Sequence, residues 1–338
     1  MIFFKNDYSK GACPQVLDAL VRTNDELTDG YGEDEYCKSA AAAIKKLVDC
    51  ENADVHFLTG GTQTNQTAIS AFLLRPHWSV ISADSGHICV HETGAIEATG
   101  HKINHVATKD GKLRPEDIEK VMIFHEDEHY VLPKMIYISD STETGLVYTK
   151  DELAALRKVC DEYGLFIYLD GARMAMALTC DKNDLAITDY PKYCDAFYIG
   201  GTKCGALFGE ALVIVNDKLK PEFRFILKRH GGMMAKGRLL GVQFEALMKG
   251  GLYLDLGRHA NRMNSMLAEG IKAKGYEFAM PPETNMSFVM FEKEQVRELA
   301  KKVMFETYPI VTKTHQCIRL VSSWATSEAE VKAFLELI

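Results

Sequence analysis

What the chain lacks narrows the field first. No apolar run reaches membrane-spanning length, and Met1-Ile-Phe-Phe-Lys-Asn-Asp has no signal-peptide layout. The expectation is a cytoplasmic protein without a membrane partner. There is no basic run either. Net charge is −8 over 338 residues, which argues against nucleic acid as a partner. No two of the nine cysteines (13, 37, 50, 89, 160, 180, 194, 204 and 317) have CxxC spacing. Their odd number and scatter fit reduced thiols, not disulfides or a zinc site, and no metal is expected. There is no internal repeat and no low-complexity tract. No Lys-Ser/Thr pair follows a glycine loop, so a Walker A loop is absent. No GxGxxG turn follows the first strand of the alternating pattern, which counts against a nicotinamide dehydrogenase.

What is present is ordinary in bulk and specific in order. Apolar residues make up 47% and charged residues 25%, as in a soluble globular chain large enough for more than one domain. Helices are expected at 14–27 and 36–50. Short apolar strands then alternate with helices. The strands are expected at 55–58, 79–83, 103–106, 134–139, 165–169, 196–199 and 211–215. The helices between or after them are expected at 64–74, 89–98, 115–124, 150–163 and 221–228. This is the mark of βαβ units and a mostly parallel sheet, whose ligands bind at the carboxyl ends of the strands. After Gly250-Gly251 a long helix (253–274), strands at 287–291, 308–311 and 317–321, and helices at 294–303 and 327–338 suggest a small α+β domain. The expected division is an N-terminal segment 1–30, a large α/β domain 31–250 and a small domain 251–338.

The residues with chemistry follow strands. Lys203 stands directly after the strand Ala196–Ile199, in Gly200-Gly-Thr-Lys-Cys-Gly205. It reads as a Schiff-base lysine in a partly dry site, or as a loop lysine that caps a helix or touches a phosphate. Cys204 beside it reads as a small filler. Gly60-Gly-Thr-Gln-Thr-Asn65 follows a strand and opens a helix, a ready anion site. His87, in Ser85-Gly-His87, can lie over a flat ligand or shuttle a proton, with Glu92 behind it. The strand Leu165–Leu169 delivers Asp170, then Gly-Ala-Arg173. A buried carboxylate needs a cationic partner, either Arg173 or a protonated pyridine nitrogen. Together these supply what pyridoxal 5′-phosphate needs: helix-start amides, a flat partner, an anion for N1 and a lysine for the aldehyde.

In this order the residues resemble the threonine aldolase group of the β-eliminating lyases, fold-type I pyridoxal-phosphate enzymes. The resemblance runs over nearly the whole chain. It implies an aspartate aminotransferase-like large domain and a small C-terminal α+β domain. It also implies pyridoxal phosphate held as an aldimine by Lys203. The cofactor would be bound by Gly61, Thr62, Asn65, His87 and Asp170, and the substrate carboxylate by Arg173, Arg319 (in Ile318-Arg-Leu-Val) and Ser9. Tyr31-Gly-Glu-Asp34 is similar to the family's early Tyr-Gly-Asp-Asp loop. The chain departs from the family pattern in three places. Gly201-Thr-Lys-Cys-Gly stands where Ser-Lys-Gly is commoner. Ser141-Thr-Glu143-Thr-Gly stands where an asparagine is usual. Met234 stands where many members carry an arginine that reaches a neighbouring subunit, with Lys236 and Arg229 nearby as substitutes.

The activity implied is retro-aldol cleavage of a β-hydroxy-α-amino acid. L-threonine or L-allo-threonine would give glycine and acetaldehyde. Lys203 and His87 are the catalytic candidates, and a homodimer or homotetramer is implied. The rival is β-elimination or transamination, since the same anchors hold the cofactor without choosing the bond. A non-catalytic sensor would need an added DNA-binding segment or basic patch, and neither is present.

Overall fold

The computed structural model describes residues 1–338. Thirteen strands occur in the order β1 (Ile2–Phe3), β2 (Asp54–Leu58), β3 (Trp78–Ala83), β4 (Lys102–Val106), β5 (Leu132–Ser139), β6 (Phe166–Asp170), β7 (Ala196–Gly200), β8 (Glu210–Ile214), β9 (Glu277–Met280), β10 (Met286–Glu292), β11 (Val303–Met304), β12 (Glu306–Val311) and β13 (His315–Val321). Strands β2 to β8 form one sheet in the order β2-β8-β7-β6-β5-β3-β4. Only β8 runs against the rest, pairing antiparallel with both β2 and β7. The carboxyl ends of β2, β3, β5, β6 and β7 therefore open on one edge, and the amino end of β8 joins them.

These strands are apolar on both faces because helices cover both. One face buries Ile136, Ile167, Phe197 and Val213 in one cluster. The other buries Val80, Tyr137, Tyr168 and Tyr198 in a second. Truncating a fully buried ring such as Phe197 to alanine costs roughly 3–5 kcal/mol. Local signals place the covering helices. Lys150–Tyr163 begins with a reciprocal cap, in which the Thr149 hydroxyl accepts from the Glu152 amide and the Glu152 carboxylate from the Thr149 amide. It stops at Gly164, in the left-handed region.

A second sheet, β12-β13-β10-β9, is antiparallel and packs on the long helix Leu252–Ala273. The two-residue strand β1 pairs with β11, and Phe4 lies in the core of this carboxyl-terminal unit against Phe334.

Several expectations need correction. The helix expected at 89–98 is a single turn, His87–Val90, and a short 3-10 turn, Glu97–Thr99. Thr93 and Gly94 both take positive φ between them and break the spiral. The first helix stops at Arg22, not at residue 27. Helices Met174–Thr179 and Arg238–Met248 and strands β1 and β9 were not anticipated.

Candidate active site

The open edge of the large sheet holds a cleft of about 260 Å³. Its floor depends on two loops that approach too closely for side chains. A Cβ at Gly200 would lie 2.5 Å from the Ala172 carbonyl, and one at Gly171 would lie 1.9 Å from that of Tyr198. The glycines thus let the loop after β6 lie against the loop after β7. Asp170 and Lys203 are brought to the same cleft.

Lys203 is half-buried and makes no hydrogen bond and no ion pair. Burial pushes its ammonium below the ordinary lysine value, and the Arg173 charge adds to this. The carboxylates of Asp7, Asp170 and Glu210 pull the other way without prevailing. The result is an amine more readily deprotonated than a surface lysine. Cys204 is fully buried against Met176, its thiol pushed to about 12 by burial, so it is a filler and not a nucleophile.

Asp170 ends β6 and is held by four donors. Oδ1 accepts from the Tyr198 hydroxyl and from the Ala172 amide (3.0 Å). Oδ2 accepts from the Tyr137 hydroxyl (2.6 Å) and from Asn65 Nδ2 (3.1 Å). Burial opposes the charge, but the His87 ring and these donors outweigh it, and the carboxyl lies below the usual carboxylate value. Arg173 is not its partner. Arg173 instead grips Asp7, through Nε at 2.7 Å and Nη2 at 3.1 Å, and Asn285 Nδ2 adds 3.0 Å to the same carboxylate. Asp7 uses two of the five guanidinium N–H groups, leaving three for the cleft that Arg173 also lines.

The helix Gly61–Phe72 starts at the cleft with no side-chain cap, so its first amides are free to meet an anion, and Gly61 and Thr62 line the opening. His87 lines it as well. Its Nδ1 meets the fully buried Glu92 at 2.7 Å. Glu143 receives the His87 amide and the Ser139 hydroxyl, both at 2.8 Å, and is pushed above the usual carboxylate value by burial and by the Asp170 charge.

Three expected residues stand elsewhere. Asn65 does not join the anion cradle. It lies one helical turn inside, fully buried, and reaches Asp170 and Glu92 while Tyr168 donates to its Oδ1. Ser9 is exposed and bonded to Asn6; Asp7 is buried against Arg173 instead, and Tyr8 edges the cleft while staying exposed. Arg319, on β13, is outside the cleft lining. It feels the charges of Arg173 and Asp7, and its Nε is buried without a partner. Arg229, Met234 and Lys236 do not line this cleft. Asp34 of the early loop caps the helix Glu35–Leu47 through the Cys37 amide.

Sequence reasoning missed Asp7, Tyr137, Tyr198 and Glu210. A signal for the tyrosines was present. Tyr137, Tyr168 and Tyr198 each stand two residues before the end of a strand, on three adjacent strands, so their side chains share a face with Asp170. Glu210 opens β8 opposite Gly200 and accepts from the Gly201 amide (2.9 Å) and the Thr202 hydroxyl (2.8 Å). Burial raises it to about 7.

Comparison with known proteins agrees with this geometry. Residues 6–294 match the Beta-eliminating lyase family. A low specificity L-threonine aldolase of Pseudomonas sp. is 32% identical over 337 residues, covering 97% of this chain and 94% of its own. The structure of Leishmania major threonine aldolase superposes with a TM-score of 0.98 at 46% identity, covering 100% of this chain and 98% of that one. A Thermus thermophilus aspartate aminotransferase shares the fold alone, with a TM-score of 0.73 at 15% identity over 100% of this chain and 90% of its own. The architecture is thus the aspartate aminotransferase-like α/β fold, and the chain belongs to the β-eliminating lyase family.

Proposed function

We infer that the protein is a pyridoxal-phosphate-dependent threonine aldolase, cleaving L-threonine or L-allo-threonine to glycine and acetaldehyde. The observation that carries the cofactor is the partnerless Lys203 amine sharing a cleft with an ionised Asp170 and an uncapped helix start, and the similarity to the Pseudomonas and Leishmania major threonine aldolases supports the reaction. These groups fit pyridoxal phosphate. The amides at Gly61 and Thr62 suit its phosphate, Asp170 its ring nitrogen, the His87 ring its flat face and Lys203 its aldehyde. When bound, the cofactor supplies a sink for the electrons of the breaking Cα–Cβ bond.

The chain's own residues do the rest. Asp170 stays anionic and offers a counter-charge to a ring cation. Arg173, fixed along one edge by Asp7, turns its remaining N–H groups to the substrate carboxylate, and Arg319 adds a second cation. Glu92 accepts the Nδ1 proton of His87, which leaves Nε2 to take the β-hydroxyl proton as the aldehyde departs. His87 is thus both stacking partner and base.

The protein is further assigned a cytoplasmic location, supported by nine free cysteines, and a homodimeric or homotetrameric state. No helix is long and apolar enough to cross a membrane. The test is an acetaldehyde assay with each threonine epimer, wild type beside Lys203→Ala. Release by the wild type alone is expected. Pyruvate from serine or cysteine, with no aldehyde, would retain the cofactor site and discard the aldolase.

A further inference from the structure

A carboxylate has about four acceptor positions, and all four of Asp170 are filled from within the chain. Two of the donors are phenols. Tyr137 comes from β5 and Tyr198 from β7, the strands on either side of β6, and each takes a different oxygen. Both side chains are almost fully buried, and each hydroxyl has Asp170 as its acceptor. Replacing either tyrosine by phenylalanine preserves the packing and removes one donor. Tyr198 differs in one respect: it lines the cleft, whereas Tyr137 and Asn65 do not. A Cβ built on Gly61 would lie 3.1 Å from the Tyr198 hydroxyl, so this phenol reaches from Asp170 to the start of the anion-binding helix.

We propose that Tyr137 and Tyr198 are positioning residues acting through Asp170. They hold its carboxylate ionised and aimed at the ring nitrogen of the bound cofactor. The proposal rests on the reading of the cleft as a pyridoxal-phosphate site. The ionisation follows from the count, because each phenol adds one donor to a carboxylate that burial would otherwise protonate. The aim follows from the placement, because one phenol from each side fixes both oxygens and prevents the carboxylate from turning.

Other charges also face Asp170. His87, Lys203 and Arg173 favour its ionised form, while Glu143 and Glu210 oppose it. The phenol of Tyr168 lies beside it and is spent on Asn65. The hydrogen bonds of Tyr137 and Tyr198 are the part that phenylalanine isolates.

The experiment is an equilibrium titration of the protein with pyridoxal phosphate, read by visible absorbance. It compares wild type, Tyr137→Phe, Tyr198→Phe and each of these combined with Asp170→Asn. Loss of a hydrogen bond to a charged group is expected to weaken cofactor binding about 10-fold for each phenylalanine variant. In the Asp170→Asn background the same changes are expected to shift affinity less than about 2-fold, because the partner through which they act is gone. Carried out across pH, the acid-side midpoint of binding is expected to move upward in the phenylalanine variants, since fewer donors raise the proton affinity of Asp170. Wild-type affinity and an unmoved acid midpoint would overturn the inference while leaving the cofactor site standing. An equal loss with and without the Asp170 carboxylate would also overturn it, by showing a structural role. A wild type that takes up no pyridoxal phosphate would overturn both the inference and the functional reading. Should one variant fail to fold, the other carries the same test.

Discussion

Asp170 and Asp140 are both wholly buried, stand at the ends of adjacent strands, and are joined by a backbone bond from the Asp140 amide to the Asp170 carbonyl at 2.9 Å. Their charge states diverge. Asp170 faces the cleft, with four donors and a histidine, and lies below the usual carboxylate value. Asp140 faces the helix layer behind the sheet. It has the Tyr190 hydroxyl at 2.7 Å and a long contact from the Tyr148 amide at 3.4 Å. The one cation near it, Lys112, is already paired with Glu152. Burial raises Asp140 to about 7. Depth in the protein is therefore not what makes a carboxylate functional. What keeps one ionised is its own set of donors and nearby cations: Glu210, in the same cleft with two donors, rises to about 7 as Asp140 does.

The strongest test of this contrast is Asp170→Ala. Activity is expected to fall by about 10²–10³-fold, alongside a lowered thermal midpoint from the Tyr137, Tyr198 and Asn65 donors left unpaired, measured by acetaldehyde release beside a melting curve. A loss of only a few-fold would erase the distinction between the two aspartates. A similar contrast divides the arginines, since Arg173 has a carboxylate partner and Arg319 has none. Arg319→Lys is expected to raise KM for threonine by about 10- to 100-fold with a smaller change in kcat, because ammonium cannot replace a planar fork. Unchanged KM would remove Arg319 from substrate binding.

Asp140 should register in stability, not in turnover. Its folded pKa is raised, so its contribution is fully present below the unfolded value near 4 and is lost as pH rises toward 7. Wild type is expected to lose up to roughly 4 kcal/mol from this group across that window. Asp140→Asn should flatten the slope of urea stability against pH while activity stays within about 3-fold. An unaltered slope would count against the raised value. The smallest effect is expected of Tyr190→Phe, which takes away the phenol that steadies the charged form. It should cost about 1 kcal/mol near neutral pH and steepen the same slope.

Much of the fold was legible because a parallel sheet covered on both faces reads as short apolar runs separated by helices. Lys203, Asp170, His87 and the uncapped helix start were legible because each follows such a run. What escaped notice depends on long-range partners. Asp7 looked like part of a polar entry, yet it answers an arginine 166 residues away. Asn65 was assigned to the anion loop by resemblance, but its side chain turns to Glu92 and Asp170 beneath the cleft. Ser9 was chosen by resemblance from the triplet Asp7-Tyr8-Ser9, of which only Asp7 is buried. Strand β1, at two residues, has no periodicity to detect.

The seating of β1 against β11 has a consequence for how the molecule comes into being. Asp7 meets Arg173 and Asn285, and Phe4 meets Phe334, so residues 4–7 are seated by partners far along the sequence. The segment that carries Asp7 to Arg173 is held by β11 and by Phe334. The closure spans nearly the entire chain, an ordering cost that precedes its reward. The catalytic edge is thus tied to the carboxyl-terminal unit: without Asn285 and β11, Asp170, His87 and Lys203 remain, but the contacts that seat Asp7 beside Arg173 are lost.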